Sequence, residues 1–193
     1  GPSVPMMMDG GNRPLIDPAM RKILPTVAHG VRCLSMGQLV DPEEAMIWRG
    51  PMVQGAVRQF LQDANWEGCD YLLVDLPPGT GDVQMGLARL LPRTDLIIVT
   101  TPAIAAQKVA IRAADMARRS FLRVAGVIEN MSSFTCEHGE TYLLFGEGGG
   151  QTLADEIGVE LLGRVPIEPS VAAGGDTGQP VVLDGSGAAA EAF

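Results

Sequence analysis

The sequence predicts an α/β fold, with a doubly wound, mostly parallel sheet and helices on both of its faces. Short apolar runs of strand length alternate along the chain with segments of helical periodicity, which is typical of parallel strands joined by right-handed helical crossovers. The runs are apolar at consecutive positions, as expected of strands that are buried on both faces. The chain has 193 residues, of which 46% are apolar, so it is long enough to bury one sizeable core.

The first half of the chain is predicted to contain two strands and three helices. The strands are apolar runs, acidic residues favour the start of one helix, and a proline suits the first turn of another. His29 and Gly30 make the first of these strand predictions weaker, because glycine is unfavourable in the interior of a strand. The predicted elements are a strand at Val27–Ser35, a short helix opening with Asp41–Glu44, a helix at Pro51–Ala64, a strand at Tyr71–Asp75 and a helix at Asp82–Leu91.

The second half of the chain alternates more regularly between strands and helices. Its strands are mostly apolar, and its longest helix is rich in alanine and ends with arginines, which suit a helix C-terminus. The predicted elements are a strand at Asp95–Thr100, a helix at Ile104–Ser120, a strand at Leu122–Glu129, a helix at Gly148–Ile157 and a strand at Glu160–Val165. Ligands of such sheets bind beyond the carboxyl ends of the strands, so the residues that follow each strand are the candidates for function.

One domain covering residues 1–193 is the simplest organisation, because neither an internal repeat nor a low-complexity linker is visible. The opening stretch GPSVPMMMDGG, Gly1–Gly11, has the composition of a loop with no strand ahead of it, and the chain stops part-way into a predicted helix. We therefore expect a domain that is incomplete at its N-terminus and also at its C-terminus.

Charge and composition argue against several classes of function. A net charge of −9 disfavours binding to a nucleic-acid backbone. The sequence has no apolar run of 18 residues and no basic amphipathic helix, so a membrane partner is not expected. Three widely spaced cysteines do not suggest a disulfide framework, and no signal peptide is visible, so the expected location is cytoplasmic.

The stretch VDLPPGTGD at residues 74–82 has the strongest functional pattern. Asp75 ends a predicted buried strand, where a carboxylate needs a partner such as hydrated Mg²⁺. The prolines and Gly79 make the loop stiff and allow its backbone to approach a ligand closely, as a switch loop beneath a γ-phosphate requires. The alternative is that Asp75 only caps the next helix.

The longer stretch WEGCDYLLVDLPPGTGD, Trp66–Asp82, resembles the signature of the Mrp/ApbC family of MinD-like P-loop ATPases, which carry iron–sulfur clusters. Cys69 departs from it, because the family usually has an aliphatic residue there. The resemblance extends over essentially the whole chain, through GPSVP at 1–5, VRCLSMGQLVDPEEAMIWRGPM at 31–52, VTTP at 99–102, GVIENMS at 126–132, FGEGGG at 145–150 and LLGRVPIEPSVAAGGDTGQPVV at 161–182.

The resemblance implies an ATP-dependent carrier or scaffold that works as a homodimer and transfers iron–sulfur clusters to apoproteins. Two alternatives remain open. One is a MinD/ParA-like ATPase that organises cell contents by nucleotide-gated dimerisation, and the other is a non-catalytic module of the same fold. The family signature favours the carrier.

The resemblance also implies roles for residues of the phosphate site. Asp75 would act on Mg²⁺ through water, while Pro78 and Gly79 would form the switch that senses the γ-phosphate of ATP. The chain contains no G-x-x-x-x-G-K-[ST] phosphate loop, which in this family precedes the GPS segment together with the first strand. We therefore expect ATPase activity in the complete protein and little in this chain alone. The run Gly148–Gly150 has no lysine and is interpreted as a helix entry or close-packing turn.

For the base, the resemblance implies that Asn130, which directly follows the predicted strand Leu122–Glu129, reads the edge of the adenine ring. A side-chain amide matches the donor and acceptor pattern of that edge. Pro166 and Ile167 would line the adenine pocket. The alternative for Asn130 is an ordinary turn residue.

The stretch SSFTCEHGETY at 132–142 is the candidate metal site. The family usually has a Cys-x-x-Cys pair here, but this chain has Cys136 followed by His138 and no second cysteine. A dimer would still offer two thiolates and two imidazoles, which suit an iron–sulfur cluster or, instead, Zn²⁺. The alternative is a loop cysteine beside a solvated histidine.

Overall fold

The computed structural model describes residues 3–11, 13–39, 50–76 and 81–193. The chain divides into two compact units. The first contains Gly1–Leu90 with Gly174–Pro180, and the second contains Leu91–Ala173 with Val181–Phe193. The short helix predicted to open at 41–44 lies outside the described residues.

The first unit combines helices with small antiparallel sheets. Strands β1 and β2 pair with each other, as do β3 and β4, and helix α2 packs against α3. Its elements are α1 (Val4–Met7), β1 (Leu15–Ile16), β2 (Ile23–Leu24), β3 (Thr26–Ala28), β4 (Val31–Cys33), α2 (Gly50–Gln62) and α3 (Gly81–Leu90). The two helices lie within one or two residues of their predicted bounds.

The strand predicted at Val27–Ser35 is instead a hairpin of β3 and β4. Its turn consists of His29 and Gly30, which have φ angles of +50° and +78°. Positive φ at both central residues is what a tight two-residue hairpin turn requires. The ring Nε2 of His29 also lies 2.8 Å from the carbonyl oxygen of Gly178, within the same unit. The prediction of one continuous strand was wrong because these two residues reverse the chain.

The second unit contains a mixed sheet with β6 at its centre. Strand β6 pairs in parallel with β5 on one side and with β8 on the other, while its far end pairs antiparallel with β7. The elements are β5 (Asp95–Thr100), α4 (Ile104–Arg119), β6 (Arg123–Thr135), β7 (Thr141–Tyr142), α5 (Gly149–Ile157), β8 (Leu161–Ile167), α6 (Pro169–Thr177), whose last residues belong to the first unit, and α7 (Ala188–Ala192). The predicted parallel arrangement of β5, β6 and β8 is confirmed.

The core of the second unit lies between one face of this sheet and helices α4 and α5. The helices contribute small or aliphatic side chains, and the central residues are fully buried: Ala114 on α4, Val127 on β6 and Leu153 on α5. Ile97 and Val99 alternate with the buried positions of β5 and are exposed. No helix among the described residues is long and apolar enough to cross a membrane.

Candidate nucleotide and metal sites

The three predicted base-binding residues lie on two neighbouring strands, near the ends of their regular pairing. Asn130 on β6 is opposite Val165 on β8, and Pro166 and Ile167 follow Val165 directly. All three predicted residues are half-buried. The side-chain Oδ1 of Asn130 accepts a hydrogen bond from the backbone N of Met131 at 2.9 Å, which restricts the orientation of the amide.

The ladder between β6 and β8 becomes irregular immediately after Asn130. The register shifts between Asn130 and Phe134, and Met131 has a φ of +57°. Pairing then resumes between Phe134 and Ile167. Irregularities of this kind re-aim side chains and are common beside functional sites. Asn130 is therefore held by regular pairing only on its N-terminal side.

A buried carboxylate lies one residue before Asn130. Glu129 is only 2% exposed. Its Oε2 accepts a hydrogen bond from the backbone N of Gly150 at 2.5 Å, and its Oε1 lies 3.4 Å from Nε of Arg164. Arg164 is the residue opposite Glu129 on β8. Burying a carboxylate is unfavourable unless it is paired and hydrogen-bonded, and these two partners meet that requirement.

The glycine run at 148–150 does not form a phosphate loop. Gly148 precedes α5 with a φ of +69°, and Gly150 has no room for a side chain, because a Cβ there would lie 2.6 Å from the Cβ of Glu129. Amides at a helix N-terminus can bind phosphate, but the amide of Gly150 is already bonded to a carboxylate. The interpretation of this run as a helix entry and close-packing turn is confirmed.

Cys136 lies in the turn of the short hairpin between β6 and β7. Its backbone N donates to the carbonyl of Glu140 at 2.9 Å, and its own carbonyl accepts from the N of Gly139 at 2.9 Å. These bonds close the turn from within. The side chain of Cys136 is half-buried, and that of His138 is exposed.

Side chains at the base of this hairpin hold its two strands together. The rings of Phe134 and Tyr142 lie with their centroids 6.5 Å apart, and the hydroxyl oxygens of Thr135 and Thr141 are 3.2 Å apart. The hydroxyl of Tyr142 donates to Oε2 of Glu140 at 2.6 Å. This bond to a carboxylate, with a smaller contribution from burial, raises the pKa of Tyr142 because it favours the protonated phenol.

One chain does not offer enough donors to hold a metal at this hairpin. Within 3–11, 13–39, 50–76 and 81–193, no group of three or more His, Cys, Asp or Glu side chains could hold a metal ion. Cys136 and His138 supply one thiolate and one imidazole, and both are suitable ligands for an iron–sulfur cluster or Zn²⁺. The donor types therefore fit, and further ligands are needed to complete a site.

The environment predicted for Asp75 is not found. Residues 71–76 do not form a strand, and the side chains of Tyr71 and Leu73 are 89% and 91% exposed. Asp75 is also exposed. A parallel strand is stable only when neighbours complete its hydrogen bonds, and none of the described strands pairs with this segment. The prediction of a buried strand was wrong, and so was the inference that Asp75 needs a cation to compensate for burial.

The other two residues predicted for the phosphate site, Pro78 and Gly79, lie outside the described residues. The structure therefore brings together Asn130, Pro166 and Ile167 in the second unit, while Asp75 belongs to the first.

Comparison with known proteins identifies the family. A profile of the ParA family, described as NUBPL iron-transfer P-loop NTPase, matches residues 1–193. The chain belongs to this family. The similarity to iron–sulfur carrier ATPases that was recognised in the motifs is thus confirmed.

Curated relatives of the chain have names that refer to iron–sulfur proteins. An iron–sulfur cluster carrier protein of Mycobacterium leprae is 43% identical over 192 residues, which cover 96% of this chain and 50% of that protein. The carrier protein of Deinococcus radiodurans is 45% identical over 184 residues, covering 95% and 52%. A mitochondrial iron–sulfur protein required for NADH dehydrogenase, from Arabidopsis thaliana, is 39% identical and is covered to 60%. The chain thus spans about half the length of the bacterial relatives.

Solved structures confirm the fold class of this family member. The nucleotide-binding protein of Archaeoglobus fulgidus, solved in complex with ADP, has a TM-score of 0.76 and 29% identity, and the match covers 99% of this chain and 74% of that one. The septum site-determining protein MinD of Pyrococcus horikoshii, complexed with Mg-ADP, has a TM-score of 0.53 and 21% identity over 75% of this chain and 54% of that one, which is a likeness of fold. The chain therefore has the α/β fold of the MinD-like P-loop NTPases.

Sequence reasoning did not identify Glu129 or Arg164. The available signal was an acidic residue at the end of an apolar strand, directly before the candidate base reader. Its significance depends on Gly150, which is distant in sequence, so it becomes visible only when the helix and the strand are placed together.

Proposed function

We propose that this chain forms part of an ATP-dependent iron–sulfur cluster carrier, which binds clusters as cargo and transfers them to apoproteins in the cytoplasm. The observation that supports this proposal best is the course of β6, because one strand carries Asn130 near its middle and Cys136 immediately beyond its end. Membership of an iron-transfer family and the names of its relatives agree with it.

Cluster binding is proposed to occur between two copies of the chain. Cys136 and His138 of each copy would give a set of two thiolates and two imidazoles across a two-fold axis. Metal binding should therefore require a dimer and weaken as pH falls, since thiolates and imidazoles bind only when deprotonated. With fewer thiolates than four, the cluster should be labile, which suits cargo that is passed on. Zn²⁺ is the competing occupant of such a set.

The proposed nucleotide-binding residues are those that the family resemblance implies. Asn130, Pro166 and Ile167 would hold the base, and Asp75, Pro78 and Gly79 would act at the Mg²⁺ and γ-phosphate. In the complete protein, a phosphate loop preceding this chain would supply the amides and lysine that hold the phosphates. Mg²⁺ would neutralise developing charge on the phosphates.

The proposed carrier function is tested by anaerobic reconstitution with iron and sulfide, and separately by Zn²⁺ titration, with the oligomeric state followed by light scattering. Wild type should bind metal as a dimer, whereas Cys136→Ser should bind little and His138→Ala should bind less tightly. Cys69→Ser is the matched control, because Cys69 is also a free cysteine and is more exposed than Cys136. Equal metal content in Cys136→Ser and wild type would place the site elsewhere, and no metal in the wild-type dimer would remove the carrier function.

The base-binding role is tested separately in the complete protein. Asn130→Ala should weaken ATP binding by about 1–3 kcal/mol, the value of a bidentate base contact, and should narrow the preference for ATP over GTP. Equal binding of ATP and GTP by the wild type would show that Asn130 does not read adenine.

A further inference from the structure

We propose that Glu129 is a positioning residue for the nucleotide base, holding the strand ends that carry Asn130 and Pro166 against helix α5. This inference rests on the proposed role of Asn130 in base binding. It concerns a residue that does not itself contact the nucleotide and acts through its two partners, Gly150 and Arg164.

The first supporting observation is the unusual position of an acid in this core. Val127, two residues earlier on β6, is fully buried and packs with Leu153 and Ala154 of α5. Glu129 is equally inaccessible and contacts the start of the same helix. An apolar side chain would fill such a place without the need to compensate a buried charge. The carboxylate instead provides two directional contacts.

The second observation is that these contacts join three elements at one point. Oε2 of Glu129 accepts from the backbone N of Gly150 on α5, and Oε1 lies 3.4 Å from Nε of Arg164 on β8. Asn130 and Pro166 are one and two residues beyond the linked positions on their respective strands. Holding Glu129 and Arg164 together therefore sets the separation of the two strand ends.

The third observation is that Asn130 is the last residue of regular pairing between β6 and β8 before the ladder breaks. The register of β6 against β8 breaks directly after it, and Met131 has a positive φ. The ladder does not continue directly beyond Asn130, so the alignment of Asn130 depends on its own pairing with Val165 and on the linked pair Glu129 and Arg164 before it. The absence of space for a Cβ at Gly150 shows how closely the helix is fitted to that residue.

The experiment measures the affinities of ATP and GTP in the complete protein, for wild type and variants whose folding is checked by circular dichroism. Glu129→Leu removes both contacts and should narrow the ATP preference fivefold or more, mainly through weaker ATP binding. Glu129→Gln keeps an acceptor for Gly150 and should retain at least half of the preference. Asp95→Asn is the matched control, because Asp95 and Arg123 form an ion pair at the opposite end of β5 and β6, so the preference should not change.

Arg164→Met makes the test independent of the core substitution. The side chain of Arg164 is half exposed, so this substitution removes no packing from the core, and a folded Arg164→Met should narrow the preference for ATP over GTP two- to fivefold. Two results would overturn the proposal. One is a preference for ATP over GTP in Arg164→Met that stays within 1.5-fold of the wild-type preference. The other is a folded Glu129→Leu variant that loses the same factor of affinity for ATP as for GTP. If Asn130→Ala leaves the preference unchanged, the proposed base reader fails and Glu129 has nothing to position. If Asn130→Ala removes the preference for ATP over GTP while Arg164→Met keeps it, only the proposed role of Glu129 fails.

Discussion

Gly150→Ala is expected to destabilise the chain, because the added methyl group has no space. Its Cβ would lie 2.6 Å from the Cβ of Glu129 and 2.9 Å from Oε2 of the same residue. Carbon atoms attract each other best at about 3.5–4.0 Å, so the methyl carbon would be roughly 1 Å too close. The obstructing Cβ is fixed to the backbone of β6 and cannot rotate away, so α5 or the strand has to shift.

The size of the effect follows from two contributions. Overpacking of this kind costs about 1–3 kcal/mol, and a shift also weakens the hydrogen bond from Gly150 to the carboxylate, a type of bond that contributes about 1.5–3 kcal/mol. Alanine is favoured over glycine inside a helix by about 1 kcal/mol, which offsets part of the loss. The net loss should be about 2–4 kcal/mol, or a fall of about 5–15 °C in melting temperature for a chain of this size.

The assay is urea and thermal unfolding of the 193-residue chain followed by far-UV circular dichroism. Gly163→Ala on β8 is the matched control, because no heavy atom beyond its two chain neighbours lies within 4 Å of the added Cβ. The control should stay within about 0.5 kcal/mol of wild type. If Gly150→Ala is as stable as the control, α5 is not fitted closely to Glu129, and Glu129 does not hold the strand ends against that helix.

Three further predictions concern reactivity, pH and turnover. Burial raises the pKa of the Cys33 thiol, so a thiol reagent should modify Cys33 at least about tenfold more slowly than the exposed Cys69, as followed by mass spectrometry. Equal rates of modification at the two cysteines would contradict the burial of Cys33. Hydrogen bonding to Arg123 lowers the pKa of Asp95, so wild type should be more stable than Asp95→Asn at pH 6. This difference in stability should shrink as pH falls below the unfolded pKa of about 3.9 and disappear as pH falls through the lower folded pKa, as checked by melting curves of both proteins. A stability difference that grows in acid would refute the prediction. The 193-residue chain should hydrolyse ATP negligibly, and in the complete protein Asp75→Ala should abolish most turnover while circular dichroism stays unchanged; normal turnover would remove Asp75 from the site.

The second unit was predictable because its elements carry their own signals. Asp95–Thr100 has four apolar residues in succession between its polar ends and was predicted with the observed bounds of β5, and the bounds of the helices that follow it differ by one residue at most. Strand β6 was predicted to end at Glu129, because Asn130–Ser133 are mostly polar. It continues to Thr135 since pairing with β8 and β7, which lie far along the chain, supplies what local composition does not.

The candidate site was predictable only in part, for the same reason. Asn130, Pro166 and Ile167 follow apolar runs, so a rule about strand ends and a family resemblance could find them. The surroundings of Asp75 could not be inferred from its neighbours, because an apolar run specifies a preference for burial and not the presence of strands to bury it. Glu129 was overlooked because its partners are distant in sequence.

The exposed segment Tyr71–Val74 has a consequence for work with this chain in solution. Four consecutive exposed apolar side chains are a typical starting point for association between chains. Self-association through this segment would depend on protein concentration but not on metal. It would therefore be recorded as a dimer in the same light-scattering experiment that looks for a metal-bridged pair. Introducing one charge, Leu73→Lys, should suppress the metal-independent species at high concentration and leave dimers formed through Cys136 intact, so this variant is a suitable background for every oligomer measurement on the hairpin.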